Sequence, residues 1–147
     1  MSEESFSIDI QIENSPSEVF SALTVNIDRW WTKYSNTGSK NGDTLKVEFE
    51  GDTAWVMELQ GVQENSKLSW SVISAHHNLS SLRKTDEWKG TNIQWEIDKT
   101  ESGCIVKLTH NGLIPSLECY EICNNGWQYF LGSLKQFLET GEGYPFG

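Results

Sequence analysis

An apolar stripe near the carboxyl end constrains this chain more than any other feature. Tyr120, Cys123, Trp127, Phe130, Leu131, Leu134, Phe137 and Leu138 recur at spacings of three and four, which places them on one helical face. Glu118, Glu121, Asn124, Asn125, Gln128, Lys135 and Gln136 fall between them as a solvated side. The spacing predicts a helix from Leu117 to Glu139, roughly 35 Å long at about 1.5 Å per residue. Pro115 and Ser116 stand at its start, Glu118 and Glu121 in its positive first turn, and Gly141 where a left-handed cap would close it. So long a stripe needs a broad partner.

Alternating segments earlier in the chain supply one. Phe6, Ile8, Ile10 and Ile12 alternate with Ser7, Asp9, Gln11 and Glu13, as in a half-buried strand. Ser15-Pro16-Ser17-Glu18 is a capping box with proline at the first helical position, opening a short helix whose inner face is Val19, Phe20 and Leu23. A second short helix is expected around Ile27, Trp30 and Trp31, and residues 33–43 read as loop. Five more inward rows complete the pattern, the first four being Leu45, Val47 and Phe49, then Trp55, Met57 and Leu59, then Leu68, Trp70 and Val72, then Ile93, Trp95 and Ile97. Cys104, Val106, Leu108 and His110 form the last. The first two rows join through Gly51-Asp52, and the polar stretch from His76 to Glu87 reads as a second loop. Six strands follow, five of them a meander after the two short helices. The architecture is α+β: a curved antiparallel sheet wrapped around the terminal helix, as a single domain over residues 1–147.

Charge narrows the choice of partner. Lys and Arg total 11 against 21 Asp and Glu, a net charge of −10 that repels phosphate backbones and anionic headgroups. Nucleic acid and membrane surfaces are therefore not expected partners. No apolar run reaches the roughly 18 residues of a membrane span, and Met1-Ser2-Glu3-Glu4 has no signal-peptide character. Three Cys cannot all pair within one chain, in keeping with a reducing compartment, and the cytoplasm is the expected location.

Taken together, Val19-Phe20 with Leu23, Trp30-Trp31-Thr32, Trp70, Glu87-Trp88 with Gly90-Thr91, the run from Leu108 to Leu113, and Gly126-Trp127 followed by Leu131, Ser133-Leu134-Lys135 and Leu138-Glu139-Thr140-Gly141 carry a resemblance. The chain resembles the START-like (SRPBCC) helix-grip superfamily, and within it the family related to the activator of the heat-shock protein 90 ATPase. The resemblance spans nearly the whole chain. It implies a helix-grip fold, and relatives of that fold often keep a cavity between helix and sheet. It also implies a link to chaperone regulation and stress response. Read as one domain, the chain is not expected to carry the additional domain by which full chaperone activators grip their partner, and its Lys and Arg are sparse.

The candidate site follows from the inward rows. Trp31, Phe49, Trp55, Met57, Trp70 and Trp95 line the expected sheet side, and Cys123 and Trp127 the helix side, with Gly126 leaving room between them. For each aromatic, core packing is the commoner role. His110 and Tyr120 are the inward polar groups, placed to meet at the cavity mouth and to donate hydrogen bonds to a ligand carbonyl, although a structural His bonded to backbone is the commoner arrangement. Cys119 and Cys123 share a helix face opposite Cys104, with His110 as the further ligand that spacing offers; buried thiols are far commoner than metal sites, and no metal is assigned. The adjacent His76 and His77 read as solvated loop residues.

No phosphate loop, nucleophile elbow, zinc-protease motif or dinucleotide fingerprint is present in the sequence. The expected function is binding of a hydrophobic or aromatic small molecule in a cavity between helix and sheet, without a cofactor and without a defined catalytic residue. Two alternatives stay open: a co-chaperone-like interaction module, which the resemblance implies, and a polyketide cyclase or aromatase-like enzyme, as in some relatives of the fold. Self-association is open too, because the edge of Lys46 to Glu50 could pair with a copy of itself despite its charges.

Overall fold

The alternating rows pair into one six-stranded antiparallel sheet in a computed structural model that describes residues 5–49, 52–78 and 83–147. Strands β1 (Phe6–Ile12), β2 (Thr44–Glu48), β3 (Ala54–Gln63), β4 (Lys67–His76), β5 (Asn92–Lys99) and β6 (Cys104–Asn111) lie in the order β1-β6-β5-β4-β3-β2. Five form the expected meander and β1 closes against β6. Gly51 of the expected turn, and residues 79–82 of the polar loop, lie outside the described residues.

Register places the apolar rows on one face. Trp95 pairs with Leu108, Ile93 with His110 and Trp70, and Leu59 with Trp70, while the alternate positions stay exposed or half-buried. Two register shifts in the β3–β4 ladder, at Val56/Met57 and between Gln60 and Gln63, add local twist and curve the sheet. Helix α1 (Pro16–Ala22) starts in the capping box read from the sequence, with Glu18 N–H donating to Ser15 Oγ at 3.3 Å and Ser15 N–H to Glu18 Oε1 at 3.4 Å. The second short helix is a single 3-10 turn, Ile27–Arg29. It carries Trp30 inward, where the indole N–H donates to the Ala22 carbonyl at 2.7 Å.

Helix α2 (Tyr120–Thr140) buries Cys123, Trp127, Leu131, Ser133 and Leu134. Gly141 ends it at φ 91°, a left-handed cap whose N–H returns to the Phe137 carbonyl at 2.8 Å. Its start corrects the expectation. The helix begins at Tyr120 rather than Leu117, with Cys119 as N-cap and no side chain of its own capping the first turn. The loop before β5 supplies the capping group instead: Glu87 accepts the N–H of Glu118 at 3.1 Å and of Cys119 at 3.0 Å. Glu118 reciprocates, accepting the N–H groups of Arg83 at 2.6 Å and Lys84 at 2.9 Å. The Lys84 N–H first, then the Arg83 N–H and the charges of Arg83 and Lys84, hold the Glu118 carboxyl below the usual carboxylate range. Residues 83–87 and the helix start are thus stitched together by two carboxylates.

The β2 edge is covered, which corrects the expectation of a free edge. Glu48 N–H bonds the Tyr34 carbonyl, Lys46 N–H the Asn36 side chain, and Asn36 N–H the Lys46 carbonyl. Thr32 takes the Glu48 carbonyl. With its outward groups occupied from within the chain, β2 offers a second copy little to pair with. Among the described residues, no helix is long and apolar enough to cross a membrane.

Candidate functional site: an aromatic cavity between helix and sheet

All seven tryptophans join one ring cluster around α2. Trp55 stacks on Trp88 with centroids 4.5 Å apart, Trp88 on Trp127 at 5.7 Å, and Trp31 on Trp70 at 5.7 Å. Trp31 and Trp127, at 5.2 Å, join the two stacks, and Trp95 meets Trp70 and Trp127 edge-on. Offset stacks and edge contacts of this kind add to the stabilisation from burial alone. The cluster does not fill the grip. A cavity of about 250 Å³ remains, bounded by Trp31, Phe49, Trp55, Trp88, Trp127 and Phe130, with Ile122, Cys123, Gly126 and Phe146 at its margins. Thr53 and His77 are the polar groups on its wall.

Of the residues chosen from the sequence, Trp31, Phe49, Trp55, Cys123 and Trp127 lie on that wall. Met57, Trp70 and Trp95 are wholly buried beneath it as core. Tyr120 is elsewhere, in a shallow groove with Phe6, Ile8, Pro115 and Gln128 on the β1 side of α2. His110 is buried behind Trp88 and Trp127. The structure therefore does not bring His110 and Tyr120 together at a mouth.

The role of His110 can be read from its partners. Trp127 Nε1–H, which can only donate, bonds His110 Nδ1 at 3.1 Å. Nδ1 is therefore the acceptor and the ring proton sits on Nε2, which donates to Thr91 Oγ1 at 2.9 Å. The Thr91 hydroxyl in turn donates to the Trp88 carbonyl at 2.6 Å. Both ring nitrogens are occupied, and burial pushes the pKa down from 6.5 to about 3. His110 is a neutral clamp between β6, α2 and the 88–91 turn, which removes it from the metal ligands as well as from proton transfer.

The cysteines separate in space. Cys104 donates from Sγ to the Asn14 carbonyl at 2.9 Å, at the far end of β6. Cys119 and Cys123 lie at the start of α2 beside His77, and the ligand atoms of the three are within 4.8 Å of one another. The hydrogen bond from Cys123, aided by His77, lowers the Cys119 pKa to about 6, while that same bond and burial push Cys123 up. His77 is not solvated as expected: it packs edge-on to Trp55 with centroids 5.3 Å apart and is half-buried.

Sequence reasoning passed over Thr53, His77, Trp88, Ile122 and Phe146 as wall residues, all but Ile122 lying outside helices and strands. Trp88 carried a signal: so large an apolar ring in a polar loop has to be buried somewhere. Phe146 arrives because the tail turns back after Gly141, with Tyr144 N–H on Ser133 Oγ at 2.8 Å and a parallel bridge from Thr32 to Phe146.

Comparison with solved structures places this arrangement among known folds. The chain is similar to the solution structure of the Aha1 dimer from Colwellia psychrerythraea, with a TM-score of 0.77 and 28% identity, covering 94% of this chain and 98% of that one. It is similar to protein MLL2253 from Mesorhizobium loti (TM-score 0.75, 19% identity, 92% and 96% covered). A third similar structure is CalU16 from Micromonospora echinospora (TM-score 0.64, 18% identity, 94% and 75% covered). The last two likenesses bear on the fold alone. Comparison with curated proteins finds no significant match. The family model for Activator of Hsp90 ATPase homolog 1-like protein matches residues 13–139, from the turn before α1 to the last turn of α2. The chain belongs to the Activator of Hsp90 ATPase homolog 1-like family, with the helix-grip architecture that its stripe and strand rows anticipate.

Proposed function

We propose that this protein binds one small aromatic or apolar molecule in the cavity between α2 and the sheet. The observation that carries the reading is the cavity of about 250 Å³ left open inside an otherwise tightly stacked tryptophan cluster. An apolar cavity of about 150 Å³ accepts a benzene ring, so this one suits a ligand of one or two rings. Trp88 and Trp127 line its wall as a parallel stacked pair, and Thr53 and His77 can orient one polar substituent. His110, neutral and bonded at both ring nitrogens, is committed to the scaffold and offers no proton to a ligand. Titrating the purified chain with 1-naphthol tests this. Tryptophan emission should change saturably at one ligand per chain, and Gly126→Phe, which projects a ring into the open space, should abolish the change. Unchanged emission at high 1-naphthol would refute the reading.

Membership of the Activator of Hsp90 ATPase homolog 1-like family favours a second reading, an interaction module that docks on a chaperone through its loops or outer sheet face. Native mass spectrometry of protein taken from its own cells separates the two. A retained small molecule supports the first and a co-purifying chaperone the second.

A further inference from the structure

We propose that His77, Cys119 and Cys123 form a three-ligand site for a thiophilic divalent cation, Zn²⁺, whose fourth coordination position opens onto the aromatic cavity. The site is independent of whether an organic ligand binds there.

Geometry carries the proposal. The three ligand atoms are already within 4.8 Å of one another without a cation among them. A tetrahedral zinc with bonds of about 2.0–2.3 Å wants its ligand atoms about 3.4–3.8 Å apart, which is a contraction of about 1.4 Å at most and within reach of side-chain rotation. Two thiolates and a neutral imidazole are a donor set that zinc favours over hard cations. Charge is balanced as well: two thiol protons leave, and the two thiolates neutralise Zn²⁺. Cys119 caps α2 and Cys123 lies in its first turn, so the positive end of the helix faces both sulfurs.

Surroundings built to hold the sulfurs strengthen the case. Trp88 donates its indole N–H to Cys123 Sγ at 3.2 Å, an outer-shell bond of the kind that steadies a metal-bound thiolate. Glu87 holds the Cys119 backbone, and the reciprocal Glu118 bonds fix residues 83 and 84 to the same helix start. His77 is anchored to that loop through its N–H on the Thr85 carbonyl at 2.6 Å. Its Nδ1 is buried and has no hydrogen-bond partner among the described residues, a polar atom that a bound cation would satisfy.

The fourth position follows from where the ligands stand. His77 and Cys123 both line the cavity, whereas Cys119 is buried behind them. Water, or an oxygen, nitrogen or sulfur atom of a small molecule in the cavity, would complete the tetrahedron there. Three protein ligands and one exchangeable position are the pattern of open rather than purely structural zinc sites.

The test uses the full chain, reduced with a phosphine and freed of metal, titrated with Co²⁺ and then with Zn²⁺ against a chromophoric chelator. The expected result is one equivalent bound, thiolate-to-cobalt charge-transfer absorption that zinc displaces, and quenching of tryptophan emission by Co²⁺ with the same end point. Cys119→Ser, Cys123→Ser and His77→Ala should each weaken binding by at least the roughly 10–100-fold that loss of an outer-shell partner alone costs, whereas Cys104→Ser should bind as the parent does. No charge-transfer band, or His77→Ala binding with parental affinity, would overturn the site. Because His77 lies outside helices and strands, that variant keeps the test decisive even where a cysteine variant folds poorly.

Discussion

Removing the Trp127 indole is the most demanding test of the packing. Trp127 is nearly inaccessible, stacks on Trp88, lies against Trp31 and Trp95, and donates to His110 Nδ1. Burying a side chain of about 150–250 Å² at about 25 cal/mol per Å² contributes roughly 4–6 kcal/mol as an upper bound. Trp→Ala substitutions in cores cost about 3–5 kcal/mol. Two local features shift that figure in opposite senses. One side of the indole already faces the cavity, which lowers the loss, while truncation leaves His110 Nδ1 a buried acceptor without a donor, which adds about 1–3 kcal/mol. The expected destabilisation of Trp127→Ala is about 4 kcal/mol. Trp127→Phe keeps an aromatic ring against Trp88 but loses the N–H, so it should cost about 1–3 kcal/mol. Urea unfolding followed by near-ultraviolet circular dichroism measures both. A loss below about 1 kcal/mol for the alanine variant would mean that Trp127 does not hold the helix to the sheet, and the packing scheme would fail.

Other consequences are equally direct. His110 is held neutral to about pH 3, but in the unfolded chain it takes up a proton below about 6.5, so its share of stability is complete above pH 6.5 and is lost as pH falls towards 3. The loss should reach about 2 kcal/mol by pH 5, and His110→Gln should flatten that part of the stability–pH curve in urea melts. A Cβ at Gly126 would meet nothing within 4 Å, so Gly126→Ala should stabilise the chain by about 0.5–1 kcal/mol through helix propensity, raising the urea midpoint. Glu87→Gln weakens the carboxylate cap on α2 and should cost about 1–2 kcal/mol, with faster amide exchange at Glu118 and Cys119.

What the chain reveals before folding depends on periodicity. The β1 to β6 rows and the α2 stripe are regular enough to specify which face turns inward, and residues such as Leu108, Trp95 and Leu131 stand where alternation and helical spacing put them. The capping box at Ser15 and the Gly141 cap are local chemistry, legible from a few neighbours. The start of α2 was not legible, because its cap is Glu87, more than thirty positions away from Glu118 and joined to it only through tertiary structure. The same holds for the cavity wall. Thr53, His77, Trp88 and Phe146 are brought in by loops and by the returning tail, where no period predicts orientation. His110 shows the converse. Its inward position was plain from alternation, but its role depended on a tryptophan N–H from α2 and a threonine from the neighbouring turn.

The ligand cavity is tested most directly by the indole N–H signals of the tryptophans in a ¹⁵N–¹H spectrum during titration with naphthalene. The account predicts saturable shifts concentrated on Trp31, Trp55, Trp88 and Trp127, which line the cavity, and little change at Trp30, which lies behind Trp31 with its N–H on the Ala22 carbonyl. Indole signals that stay fixed at saturating naphthalene, or shifts confined to the outer face of the sheet, would contradict it.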